Sequence, residues 1–158
     1  MKNADVFFNA LRNGNTEKVT ILLSENPNLV SSVDSRGSSP LILASYYNHK
    51  TVCEILIENG ANLNFKDASG NTALMGVCFK GFTDIATLLI NKGTDVNAKN
   101  NMGANALIYA VTFNQLEIVK KLLNNGADAN EKDEKGNSAM DHARSQKNEE
   151  ILKLLTSS

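Results

Sequence analysis

A chain of 158 residues with 42% hydrophobic and 21% charged residues has the composition of an ordinary soluble globular protein, long enough for one compact domain or one short repeat array with a stable core. Its formal net charge of −1 lacks the basic excess with which nucleic-acid-binding proteins neutralise phosphates, so nucleic acid is not an expected partner. The N-terminus MKNADVFFNALRNGN has no apolar signal core and no run approaches the length of a membrane span, which predicts a soluble, cytoplasmic monomer with no membrane partner.

The chain repeats itself at a step of 33 residues: Asp34, Asp67, Asn100 and Asp133 keep it, as do Gly37, Gly70, Gly103 and Gly136. Three apolar columns follow in register, Leu41/Leu74/Leu107/Met140, Val52/Ile85/Ile118/Ile151 and Leu56/Leu89/Leu122/Leu155. In chain order, residues 1–33 place Phe8, Leu11, Val19 and Leu23 on the same columns and read as a degenerate N-terminal capping repeat. A full unit follows at 34–66. Its Asp-x-x-Gly start predicts a tight turn with the glycine at positive φ. Ser39 is a good helix N-cap and Pro40 suits the first helical position. This short helix ends near Asn48, and a second one, with Val52, Ile55 and Leu56 at helical spacing, closes at Gly60.

Units 67–99 and 100–132 repeat the plan, with Thr72 and Asn105 as N-caps, Ala73 and Ala106 at the first helical position, and Gly81 and Asn114 between the helices. Gly93 and Gly126 close them. Ala44, Val77, Ala110 and Ala143 are small enough to let neighbouring first helices approach closely. Residues 133–158 form the C-terminal capping repeat, where Ser138 and Ala139 start a helix and NEEILKLLTSS ends the chain with Glu149, Glu150 and Lys153 for a polar outer face. The reading is a single domain over 1–158, an all-α repeat solenoid of turns and paired antiparallel helices.

One stretch imitates a different chemistry. GVCFKGFT, residues 76–83, has the glycine spacing and terminal threonine of a phosphate-binding loop, but Phe82 stands where the lysine belongs. In the repeat register Gly76 falls inside a first helix and Gly81 at its end, with no strand before them, so no phosphate site is predicted. Catalytic arrangements are also missing from the pattern. His49 follows an inter-helix turn, where a turn-stabilising hydrogen bond suits it. His142 follows Asp141, and adjacent helical residues point about 100° apart and do not pair. Cys53 and Cys78 form no CxxC or zinc-ligand spacing and read as reduced, buried thiols. No catalytic residue, metal or cofactor is expected.

The turn, the two helices and the segments SPLILA, TALMGV, NALIYA and SAMDHA, with the closings ENGANLN, NKGTDVN and NNGADAN, resemble the ankyrin repeat family and its TPLHxA signature. The proline survives once and the histidine never does. The resemblance implies stacked ankyrin repeats, each a turn or β-hairpin plus two helices, binding another protein on the concave surface of turn tips and first helices. Tyr46, Tyr47, Phe79, Lys80 and Phe113 occupy the columns that would lie there, and Met102 joins them from a turn tip; they are the candidate partner-binding residues, since Tyr and Phe bury much area with few rotamers to freeze. Lys66, Lys99 and Lys132 form a further column, read as local charge balance beside the turn aspartates on a solvated edge.

More narrowly, DSRGSSPLILA (34–44) and DASGNTALMGVCFKG (67–81) are similar to short bacterial ankyrin proteins encoded beside catalases. That resemblance implies a catalase as partner and an accessory role in peroxide defence. The alternative is a haem carrier, with Tyr46, Tyr47, His49, Cys78 and Tyr109 as conceivable axial ligands.

Overall fold

The structure is a computed structural model and describes residues 3–157. Its organising element is the turn that opens each unit. Asp34 Oδ1 accepts hydrogen bonds from the amides of Arg36 and Ser38, both at 2.9 Å. Asp67 does the same with Ser69 and Asn71, Asn100 with Met102 and Ala104, and Asp133 with Lys135 and Asn137, all between 2.9 and 3.0 Å. One side-chain oxygen thus holds two amides of its own loop, and an asparagine serves as well as an aspartate.

Each turn delivers the chain to a capped helix. Ser39, Thr72, Asn105 and Ser138 accept from the amide three residues on, so the first helices begin where the sequence predicts: α3 Pro40–Tyr46, α5 Ala73–Lys80, α7 Ala106–Thr112 and α9 Ala139–Ser145. Asn48, Gly81, Asn114 and Lys147 take positive φ between the helices. The second helices are α4 Lys50–Glu58, α6 Thr83–Asn91, α8 Leu116–Asn124 and α10 Glu149–Ser157, and the first unit contributes α1 Asn3–Asn13 and α2 Thr16–Glu25. That unit differs from the others in closing through a 3-10 turn, Pro27–Ser31, started by Pro27 and capped by the Asn26 side chain.

The ten helices form five pairs. First helices stack on first helices and second on second, giving two layers with the core between them. The predicted columns fill it: Leu41, Leu74 and Leu107, then Val52, Ile85, Ile118 and Ile151, then Leu56, Leu89, Leu122 and Leu155 are buried, and Ala44, Val77, Ala110 and Ala143 are fully enclosed where first helices meet. Met140, on the first of these columns, is only half-buried. Glu149, Glu150 and Lys153 are exposed. Among the described residues the hairpin character of the turns is confined to an isolated bridge between Lys132 and Ser138.

Units are joined at the turn tips by backbone hydrogen bonds. The Asn101 amide donates to Ser69 O at 3.0 Å and the Glu134 amide to Met102 O at 2.9 Å. This contact requires glycine. A Cβ on Gly70 would lie 2.6 Å from Asn101 Oδ1 and 2.8 Å from its amide nitrogen, and one on Gly103 would lie 2.9 Å from Glu134 N. Gly136 has the same positive φ, but no atom of the described residues lies within 4 Å of its would-be Cβ.

His142 completes the last turn, with Nε2 3.0 Å from Asp133 Oδ2. Asp141, its sequence neighbour, instead forms a capping box with Ser138. Burial acts to raise the Asp133 pKa, but the Asn137 amide, His142 and the Lys135 amide together outweigh it and hold the carboxyl below its usual range.

Two outcomes test this account. Gly136→Ala should cost about 1–2 kcal/mol, the strain of a left-handed residue alone. Gly70→Ala carries that strain plus the collision with Asn101, so its urea midpoint should fall clearly lower; equal midpoints would contradict the role of the tip contact. Because the folded Asp133 pKa is depressed, its contribution to stability is present above the unfolded value of about 3.9 and disappears as pH falls through the folded value. Asp133→Asn keeps the turn, as Asn100 does, so wild type should melt higher than the variant at pH about 6, with the gap narrowing as pH falls below the unfolded value. A gap independent of pH would show that the carboxylate charge is not involved.

Candidate functional site

The candidate residues gather where the first helices end. Tyr46 is the last residue of α3 and Tyr47 its C-cap, Phe79 and Lys80 close α5, Phe113 caps α7, and Met102 sits in the turn before it. They lie there because each first helix stops at its left-handed residue, leaving the columns just before that residue beyond the packed core. All five apolar members are exposed, from 42% for Tyr46 and Phe79 to 54% for Met102.

Contacts between units tie most of them together. Phe79 and Phe113 meet edge to face, with centroids 4.7 Å apart and planes at 83°, and Tyr46 and Tyr47 meet at 6.0 Å and 82°. The Lys80 ammonium lies over the Tyr46 ring at 4.9 Å from its centroid and 5.8 Å from that of Phe82. A line of touching side chains therefore runs from Tyr47 through Tyr46 to Lys80 and, by way of α5, from Phe79 to Phe113. Met102 is not part of this line. It borders, with Phe113, a shallow groove of about 280 Å³.

A second groove, of about 310 Å³, lies between α3 and α5 and is bordered by Tyr46, Met75, Gly76, Phe79, Tyr109 and Asp67. Neither Asp67 nor Gly76 stands out as a surface residue in the sequence. The signal was available: Gly76 shares its column with Leu43, Tyr109 and His142, and a missing side chain in an otherwise filled column leaves a gap. Gly76 lies in the middle of α5 and Gly81 is the left-handed residue that ends it, so the phosphate-loop spacing serves helix geometry.

The remaining polar candidates have structural partners. His49 Nε2 lies 2.8 Å from the Arg12 carbonyl oxygen and so joins the first two units. The lysine column keeps its place on an exposed edge, with Lys99 paired to Glu131, but it also bridges units through backbone carbonyls. Lys66 Nζ donates to Lys99 O at 2.8 Å, and Lys99 Nζ donates to Lys132 O at 2.9 Å and to Glu131 at 3.0 Å. The ammonium groups reach the next unit's backbone because the repeat step sets that carbonyl at side-chain distance. Cys53 and Cys78 are free and buried. Burial, with the Glu54 charge adding to it and a backbone hydrogen bond opposing, pushes the Cys53 thiol up to about 12, and burial alone raises that of Cys78. Tyr109 accepts at its hydroxyl from Asn100 Nδ2 at 2.8 Å.

A family model for ankyrin repeats matches the chain in three copies, over residues 2–67, 59–133 and 99–158. No curated protein matches it. No helix among the described residues is long and apolar enough to cross a membrane. Ankyrin repeats are generally protein-interaction modules, and with the repeated turns, paired helices and stacked layers described above, this chain belongs to the ankyrin repeat family.

Proposed function

We propose that this protein is a non-enzymatic, monomeric docking module that binds another protein through Tyr46, Tyr47, Phe79, Lys80, Met102 and Phe113, on the face made by its first helices and turn tips. One observation supports this most. Of the seven exposed large hydrophobic residues among those described, five are in this set, and the other two, Ile21 and Val33, lie apart from it. An apolar run of this kind is costly in water unless a partner covers it. The edge-to-face pairs also hold the rings in place before binding, which lowers the entropy lost on contact. His49 and His142 both hold structural hydrogen bonds, which favours a non-catalytic role. Two free, enclosed thiols suit a reducing cytoplasm.

The narrower resemblance of residues 34–44 and 67–81 to bacterial proteins encoded beside catalases supports a catalase as the partner, with the module an accessory factor in peroxide defence. The haem-carrier alternative is less well supported. Cys78 is fully enclosed, and His49 and Tyr109 are committed to other units or turns, leaving Tyr46 and Tyr47 as its accessible ligands.

Tyr47→Ala and Phe113→Ala, separately, should each weaken binding to purified bacterial catalase about thirtyfold while leaving the melting curve near that of wild type. A stability loss of about 3–5 kcal/mol instead would assign the rings to the core. Undiminished binding by both variants would remove the stripe from the interface. Failure of wild type to bind catalase would remove that partner. Titration with haem should leave the Soret band of free haem unshifted; a saturable shift abolished by Tyr47→Ala would favour the carrier.

A further inference from the structure

The turn Asp or Asn of each unit from residue 34 onward has a second oxygen or amide that the turn does not use, and the units differ in what answers it. Asp34 Oδ2 faces Arg12 at 3.7 Å. Asn100 Nδ2 donates to Tyr109 Oη and to Asn71 Oδ1, both at 2.8 Å. Asp133 Oδ2 pairs with His142. In two of these units the partner comes from one column of the first helix, Tyr109 and His142. In the unit of Asp67 that column holds Gly76, and Asp67 Oδ2 has no partner among the described residues.

The vacancy is the groove between α3 and α5. Asp67 borders it together with Gly76, Tyr46, Phe79 and Tyr109. A half-buried carboxylate with an unused oxygen and three aromatic rings thus border one concavity of about 310 Å³. That set of groups is complementary to an organic cation: the carboxylate supplies the counter-charge and the ring faces attract the cation and cover its alkyl stem. The molecule already shows such a pairing, with the Lys80 ammonium 4.9 Å from the Tyr46 centroid. Lys80 itself does not border the groove.

We propose that this groove receives a basic side chain, arginine or lysine, of the protein partner, with Asp67 as its counter-ion. The inference deepens the docking role proposed above and rests on it for the identity of the ligand as a protein. The occupant is fixed by charge complementarity: an acidic or phosphorylated side chain would meet the Asp67 charge, and an apolar one would leave that carboxylate covered and unpaired.

Two variants isolate the site without disturbing the fold. Asp67→Asn preserves the turn, because Asn100 makes the same two amide contacts in the next unit. Gly76→Leu restores the residue found at Leu43 in the preceding unit; a Cβ at this position meets only Tyr46 Cδ1, at 3.7 Å, so melting curves should show both variants folded. The probes are acetyl-arginine methylamide and acetyl-lysine methylamide, with the citrulline and norleucine analogues as neutral counterparts, titrated into the full-length protein and followed by amide chemical shifts at Met75, Gly76 and Phe79.

Saturable shifts with at least one cationic probe, about tenfold or more weaker with its neutral counterpart and lost in both variants, are the expected result. Equal response to the neutral analogues, persistence in Asp67→Asn, or no saturable shift with either cation would overturn the proposal. Tyr47 and Phe113 do not border the groove, so their alanine variants should still bind the probe. Loss of probe binding with intact stripe-dependent capture would therefore refute only the groove, and the reverse would refute only the stripe.

Discussion

The stack depends on one side-chain oxygen used the same way in every full unit. By accepting two amides of its own loop, the turn Asp or Asn fixes the backbone that carries the glycine to positive φ and the next residues to the N-cap. The same loop shape presents an amide and a carbonyl sideways, and the tips at 67–70, 100–103 and 133–136 join through them. Each unit therefore sets the position of the next, and the first helices enter in register with small residues facing one another. Buried leucines and isoleucines supply most of the stabilising free energy, but they can interdigitate only because the tips fix the spacing. A solenoid is cooperative for this reason: no helix pair here could bury both of its faces alone.

Most of this was legible in the sequence because the determinants recur. N-caps, left-handed residues and core columns are local requirements repeated at a constant step, so the repetition itself separates signal from chance. Four helix starts follow from Ser39, Thr72, Asn105 and Ser138, and the left-handed residues Asn48, Gly81 and Asn114 from their place in the repeat, without knowledge of tertiary contacts, whereas Lys147 takes the same conformation with no mark in its residue type. The 3-10 turn at Pro27–Ser31 was missed because it occurs once. The backbone contacts of Lys66 and Lys99 are hidden for another reason. Their partners are backbone carbonyls of the following unit, and a backbone acceptor leaves no mark in residue type. His142 shows the same limit: its partner Asp133 is distant in sequence, while the tempting neighbour Asp141 caps the helix.

The candidate surface was partly legible on the same grounds. Residues between the last core column and the left-handed residue have no structural duty, so aromatic side chains there stand out against the repeat. What the sequence does not convey is how they meet. The pairing of Phe79 with Phe113 and of Lys80 with Tyr46 crosses from unit to unit, and it turns separate exposed rings into a pre-arranged set. The groove escaped notice because it is made by an absence, the side chain that Gly76 lacks.

The turn acid explains how such a fold can carry recognition without losing its geometry. One oxygen is committed to the loop and cannot vary in role; the other group on the same carbon is free to be answered by Arg12, by Tyr109 through Asn100, by His142, or, at Asp67, by nothing among the described residues. Changing that answer leaves the loop hydrogen bonds untouched, as Asn100 demonstrates by holding its turn without a charge. Under the proposed recognition role, stability and specificity would reside on two atoms of one side chain. A cation supplied from outside at Asp67 would occupy the place that an imidazole or phenol occupies in the following units, so binding there would complete the repeat pattern rather than distort it.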